Sequence, residues 1–203
     1  MVDLARWFLG DVVRVSASLR SFVTRTGPVG EPMENANDSA FFLLDFASGA
    51  HGVIHVGTPN VAGPGLAHTG QLVIIHGREG TLETRGDPWT MPTVSQITGL
   101  RRGVDQAETL TVPAHYYGSA DRSDPFAVFQ HQSVGPRHFV DAITNDVPAS
   151  PSFHDGHQVQ RIIEAAVDSH RTGAAQTLYE TISTFSGRPA LAHRPCRRWS
   201  AGL

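Results

Sequence analysis

Residues 39–57, SAFFLLDFASGAHGVIHVG, carry the reading on which the fold turns. Ser39 to Phe46 is almost wholly apolar and reads as a strand. Ser48-Gly49 then turns the chain into Ala50 to Gly57, a hairpin signal. The run Phe41-Phe42-Leu43-Leu44 shows no polar alternation, so this strand is expected to find apolar neighbours on both of its faces.

The same pattern recurs on either side. Gln71 to His76 reads as a strand, Gly77 to Gly80 as a tight turn, and Thr81 to Arg85 as the returning strand. Upstream, Val13, Val15 and Leu19 lie in a valine- and serine-rich stretch that reads as a strand from Val12 to Val23. Thr26 to Asn37, with its glycines, prolines and asparagines, reads as a loop. Downstream, Asp87 to Asp105 has no sustained period and reads as a loop, and Glu108 to Val112 as a short last strand. Hairpin links between successive strands imply antiparallel pairing, not a wound parallel sheet.

Helical periods flank the strands. Met1 to Gly10, MVDLARWFLG, has an apolar stripe of Leu4, Phe8 and Trp7 and a glycine stop. Phe126 to Asn145 holds Phe129, Phe139, Val140 and Ile143, with a kink or restart at Gly135-Pro136. A cleaner helix opens at Asp155, where an aspartate makes a good N-cap. Val159, Ile162, Ile163, Ala166 and Val167 form its stripe, and Gly173 ends it. The expectation is an α+β fold: an open, largely antiparallel mixed sheet of about six strands with helices packed on one face. Residues 1–188 read as one domain, and 189–203 as a tail or packed arm. Helices on one face leave the other apolar face to be covered, most simply by a second copy in a twofold dimer.

Bulk composition narrows the function classes. Only 17% of the 203 residues are charged and the net charge is −3, so no nucleic-acid footprint is expected. Cys196 is the only cysteine, which rules out an intrachain disulfide. No apolar run reaches membrane-spanning length, and the first residues lack the basic and hydrophobic regions of a secretory signal. A cytoplasmic location without membrane partners is the expectation.

Four segments, in order, resemble the second domain of the glucose-fructose oxidoreductase / inositol dehydrogenase / MocA family. Met1 to Gly10 resembles its opening helix. Asp38 to Gly52, DSAFFLLDFASGAHG, resembles its central hairpin, and Ile74 to Leu82, IIHGREGTL, its Gly-x-x-Gly-Thr hairpin. Phe139 to Ser169, FVDAITNDVPASPSFHDGHQVQRIIEAAVDS, resembles its terminal helix pair. The resemblance implies a dihydrodipicolinate-reductase-like C-terminal domain. Intact members put a Rossmann half with a Gly-x-Gly-x-x-Gly turn before this point, because backbone amides must approach a pyrophosphate closely. No such motif stands here on a strand-to-helix turn: Gly49/Gly52 and Gly77/Gly80 sit at hairpins. The family's lysine, and its histidine three positions before the aspartate matching Asp3, would also lie upstream.

The resemblance puts Asp3 near a substrate pocket at the domain junction; an exposed helix start is the plainer reading. His154, Asp155 and His157 form a polar cluster where the last long helix opens, and the capping role of Asp155 competes with a pocket role. His115 and Tyr116, beside Tyr117, are candidates to offer rings and hydroxyls to a polyol. His51, His55 and His76 read as a polar part of an interface; no metal and no cofactor site is expected within these residues. Arg78 and Glu79 read as solvent-facing, and Cys196 as unactivated.

The resemblance therefore implies the substrate-binding and oligomerisation half of a sugar or polyol oxidoreductase. An intact member uses NAD or NADP, a base taking the hydroxyl proton while hydride passes to the cofactor. This half is expected to be inactive without a missing or separately encoded Rossmann domain. The alternative is a standalone, non-catalytic dimeric binding or structural protein of the same descent.

Overall fold

The computed structural model describes residues 1–58, 70–86, 96–117 and 134–178, with Asp121, Asp124 and Ala127 between them. The expected tail from Pro189, Cys196, and the apolar positions Phe126 and Phe129 lie outside the described residues.

Helix α1 spans Val2–Leu9 and stops at Gly10, whose φ of 90° suits a residue without a Cβ. Its buried side differs from the expected stripe. Val2, Ala5 and Leu9 pack on the core, while Trp7 and Phe8 are exposed. Strands β1 (Val12–Arg20), β2 (Ser39–Phe46) and β3 (His51–Gly57) follow. The β2–β3 hairpin forms as expected, turning at Gly49 with φ 83°.

Strand β1 ends three residues before the expected Val23, because Asp38 stops it. The buried Asp38 carboxylate accepts the backbone N–H of Phe22 at 2.9 Å and of Val23 at 2.8 Å. These donors, Phe22's first, hold its carboxyl below the ordinary carboxylate range.

Strands β4 (Gln71–Gly77) and β5 (Gly80–Gly86) form the second hairpin, and β6 (Gln96–Arg101) and β7 (Glu108–Leu110) extend it. Every described pairing is antiparallel. The strands form two four-stranded sheets, β3-β2-β1-β8 and β4-β5-β6-β7, rather than one sheet of about six. Two strands account for the difference in number. Strand β6 lies within the expected loop at 87–105; its alternation is interrupted by Gly99, whose missing Cβ leaves room for Leu110 of β7. Strand β8 (Gln176–Thr177) is too short to show a period.

Helix α2 spans Val134–Thr144, and α3 spans Phe153–Thr172. Pro136 sits in the first described turn of α2, where its missing N–H costs no hydrogen bond within the described helix, in keeping with the restart expected at Gly135-Pro136. Helix α3 packs along β1, with Ile162, Ala166 and Ser169 buried. Ile163 and Val167, expected in that stripe, are exposed, so the contact is narrower. The core joins Val15, Leu44, Phe46 and Ile54 of the first sheet to Ile162 and Ala166 of α3 and Val2 of α1.

Strand β8 pairs only with Arg14 and Val15, which leaves the β1 edge beyond it short of partners. There the buried Ser169 hydroxyl accepts the N–H of Ala17 at 3.0 Å. The opposite face of this sheet is open. Phe41 and Leu43 of β2 and Val53 of β3 are 49%, 59% and 65% exposed, and the His55 ring stacks on Phe41 with centroids 4.0 Å apart.

Candidate functional site

Two helix starts meet at the site. Ser152, extended before α3, is the N-cap, and its hydroxyl accepts the N–H of Asp155 at 3.3 Å. The Asp155 carboxylate returns the bond, accepting the N–H of Ser152 at 2.7 Å and its hydroxyl at 2.8 Å. This reciprocal capping box places Asp155 three residues inside the cap and not in the cap position. Its carboxyl is held below the ordinary range, first by the Ser152 N–H, then by the Ser152 hydroxyl, Arg6 and His154, against the opposing effect of burial.

Arg6 ties the two helices together. Its side chain is 10% exposed; Nη1 donates to the Asp155 carbonyl at 3.3 Å and lies 3.9 Å from a carboxylate oxygen of both Asp3 and Asp155. Nη2 donates to Asp11 at 2.9 Å. One guanidinium thus serves three carboxylates.

A cleft of about 770 Å³ opens beside this cluster. Asp3, Ser152 and Asp155 supply its polar groups, while Phe139, Pro148 and Phe153 supply apolar wall. Phe153 is wholly exposed and Phe139 is 60% exposed, so the aromatic wall faces solvent. A surface of aromatic and proline carbon beside fixed acceptors suits a molecule with a C–H face and several hydroxyls.

The structure brings together two of the six residues singled out in the sequence, Asp3 and Asp155. His154 and His157 sit on the exposed side of α3, and the His154 ring lies 3.4 Å from the Gln158 amide, outside the cleft lining. His115 and Tyr116 lie in a short 3₁₀ turn, Ala114–Tyr116, with their rings packed on each other 4.2 Å apart. Neither lines the cleft. Arg6 was not singled out. Its i, i+3 spacing to Asp3 is visible in the sequence, but its contact with Asp155 joins positions 149 residues apart.

A second groove of about 650 Å³ runs between α1 and the outer strands β3 and β4. His51, His55 and His76 line it, and the His76 ring shares a 2.9 Å hydrogen bond with the Thr81 hydroxyl. Among the described residues, no three His, Cys, Asp or Glu side chains are placed to hold a metal ion.

The described residues do not fit a dinucleotide. They contain no parallel strand pair. Gly49 and Gly77/Gly80 stand at strand-to-strand turns, with no helix start offering its amides to a pyrophosphate. Also among the described residues, no helix is long and apolar enough to cross a membrane.

Comparison with known proteins agrees with this architecture. Residues 1–178 match the model of the oxidoreductase family C-terminal alpha/beta domain (GFO_IDH_MocA_C). A levoglucosan dehydrogenase of Pseudarthrobacter phenanthrenivorans is 28% identical over 83% of this chain and 47% of its own length. An NAD binding oxidoreductase from Klebsiella pneumoniae superposes with a TM-score of 0.68 at 23% identity, over 88% of this chain and 48% of that one. An aldose-aldose oxidoreductase from Caulobacter crescentus, complexed with glycerol, gives 0.60 at 20% identity over 87% and 44%. The chain therefore spans about half the length of the relatives it matches.

Proposed function

The chain belongs to the Gfo/Idh/MocA oxidoreductase family, and we propose that it is the substrate-binding and oligomerisation half of an NAD(P)-dependent sugar or polyol oxidoreductase. The observation that carries this reading is the cleft where Asp3 and Asp155, linked through Arg6, stand beside Phe139 and Phe153. The carboxylates accept substrate hydroxyls, and the aromatic and proline surfaces take the carbon face of the ring. His115, Tyr116, His154 and His157 have no place in this version of the pocket.

These residues bind and orient. The cofactor supplies a hydride acceptor, and the glycine-lined turn that binds it belongs to a dinucleotide-binding half. By itself the 203-residue polypeptide is inactive. The open sheet face of Phe41, Leu43 and Val53 is the assembly surface, covered by the same face of a second copy around a twofold axis. The setting is cytoplasmic.

The experiment is reconstitution. The dinucleotide-binding half of the levoglucosan dehydrogenase relative, joined ahead of Met1, is expected to give sugar-dependent reduction of NAD⁺ or NADP⁺ that falls with Asp3→Asn. Equal turnover by the 203-residue polypeptide alone refutes the reading. So does a correctly folded fusion that binds NAD(P) and oxidises none of a panel of neutral sugars and polyols.

A further inference from the structure

Strand register sorts the open face of the first sheet into rows, because residues directly opposite one another share a face. Arg14, Asp45 and His51 lie side by side across β1, β2 and β3. Ser16, Leu43 and Val53 form the next row, and Ser18, Phe41 and His55 the one after. Arg20 stands beyond them, opposite Ser39. Charges thus border an apolar centre, as a polar rim borders the core of a protein interface. His55 breaks the pattern. Its ring lies flat on Phe41, with centroids 4.0 Å apart and planes 5° from parallel, so an ionisable group is built into the apolar part.

We propose that protonation of His55 separates two copies joined through this face, which couples assembly to pH. This regulation rests on the twofold assembly proposed above. A twofold contact sets the face against itself, so every proton taken up appears on both sides. Among the described residues, Asp45 is the only carboxylate on this face. It is bonded to Arg14 at 3.3 Å and stands two rows from His55, about 13 Å along the strand at ~3.3 Å per residue. Arg20 adds a further positive charge. His55 also lines the groove beside β4, whose other ionisable lining groups among the described residues are the Met1 amino group, His51 and His76, none of them an acid. On β5, the strand next to β4, Glu83 is paired with Arg85 at 2.7 Å. An imidazolium covered by the second copy therefore loses water and meets like charge. His51 differs, because its cross-strand neighbour Asp45 offsets a proton there.

The test is sedimentation equilibrium of the 203-residue polypeptide at about pH 7.5 and about pH 5.5, on either side of the ordinary imidazole value of about 6.5, at one ionic strength. The fold is not challenged in this range, since Asp38 and Asp155 are held below the ordinary carboxylate range and stay ionised. The separated copies bind more protons than the dimer, so dissociation is favoured as pH falls. Two imidazoles, neutral in the dimer and titrating in the monomers, raise the dissociation constant about a hundredfold over the interval. His55→Phe keeps a ring on Phe41 and is expected to abolish most of that rise, while His51→Gln keeps it. His55→Gln, uncharged and polar, gives the same reading if the phenylalanine variant does not fold. A parent dimer equally tight at both pH values, or tighter in acid, overturns the switch and leaves the assembly standing. So does a folded His55 variant that retains the full rise. A parent that is monomeric at both values ends the assembly reading and this inference with it.

Discussion

Replacing Leu43 with glutamate tests the proposed twofold assembly separately from the fold. Leu43 is 59% exposed on the open face of β2, between Phe41 and Val53, so the protomer loses little by the change. In a twofold dimer each substitution counts twice. Covering the exposed part of one leucine stabilises by about 0.9–1.8 kcal/mol, taking ~1.5–3 kcal/mol for a whole side chain. Two copies lose about 1.8–3.5 kcal/mol of that contact. Each buried glutamate without a partner adds a penalty of about 1–3 kcal/mol. The total is at least ~4 kcal/mol, about a thousandfold in dissociation constant. Sedimentation equilibrium across a concentration series reads this directly, and a urea melt checks that the monomer is folded. Val29→Glu is the control, since Val29 is 91% exposed in the loop between β1 and β2. A Leu43→Glu dimer as tight as the parent, or a parent that stays monomeric at high concentration, refutes the reasoning.

Three more outcomes are expected from the same geometry. Ser169→Ala leaves the part-buried N–H of Ala17 without its 3.0 Å acceptor, and urea denaturation is expected to show a loss of about 1–2 kcal/mol. Ser152→Ala removes the N-cap hydroxyl of α3 and is expected to cost about 1 kcal/mol in the same assay, with Ser152→Thr retaining most of it. Asp38 and Asp155 both titrate lower in the folded chain than in the unfolded one. Their contribution is therefore fully present above the unfolded carboxylate value of about 3.9 and is lost as pH falls through the folded values. The urea midpoint should decline more steeply below that value than in an Asp38→Asn, Asp155→Asn variant; equal acid slopes in the two proteins contradict the assignment.

What was legible in the sequence is what chain-local chemistry specifies. Ser48-Gly49 turns a strand with Gly49 at φ 83°, Gly80 stands at the second hairpin where a Cβ would meet the Leu100 carbonyl, and Gly173 ends α3 with φ 69°. The apolar run from Phe41 to Leu44 announced a strand with two apolar faces, one against the core and one open. Strand β6 was hidden because Gly99 breaks its alternation, and β8 because two residues carry no pattern. The narrower buried stripe of α3 depends on where that helix crosses β1, which its own period does not reveal.

The site divides the same way. Asp3 and Asp155 are visible through the resemblance, each with a local structural role beside the pocket role proposed for it. Arg6 could not be placed, because its significance depends on a contact spanning most of the chain. His115 and Tyr116 are polar aromatics after a strand whose rings pack on each other, and neither is among the described residues lining the cleft.

We propose that these residues hold the carbohydrate and leave the nucleotide to a dinucleotide-binding half. Titration calorimetry of NADH into the 203-residue polypeptide tests it most directly. No heat beyond dilution is expected up to millimolar NADH, while fusion to a relative's dinucleotide-binding half is expected to give one site per chain. Stoichiometric, tight binding by the unfused polypeptide contradicts it.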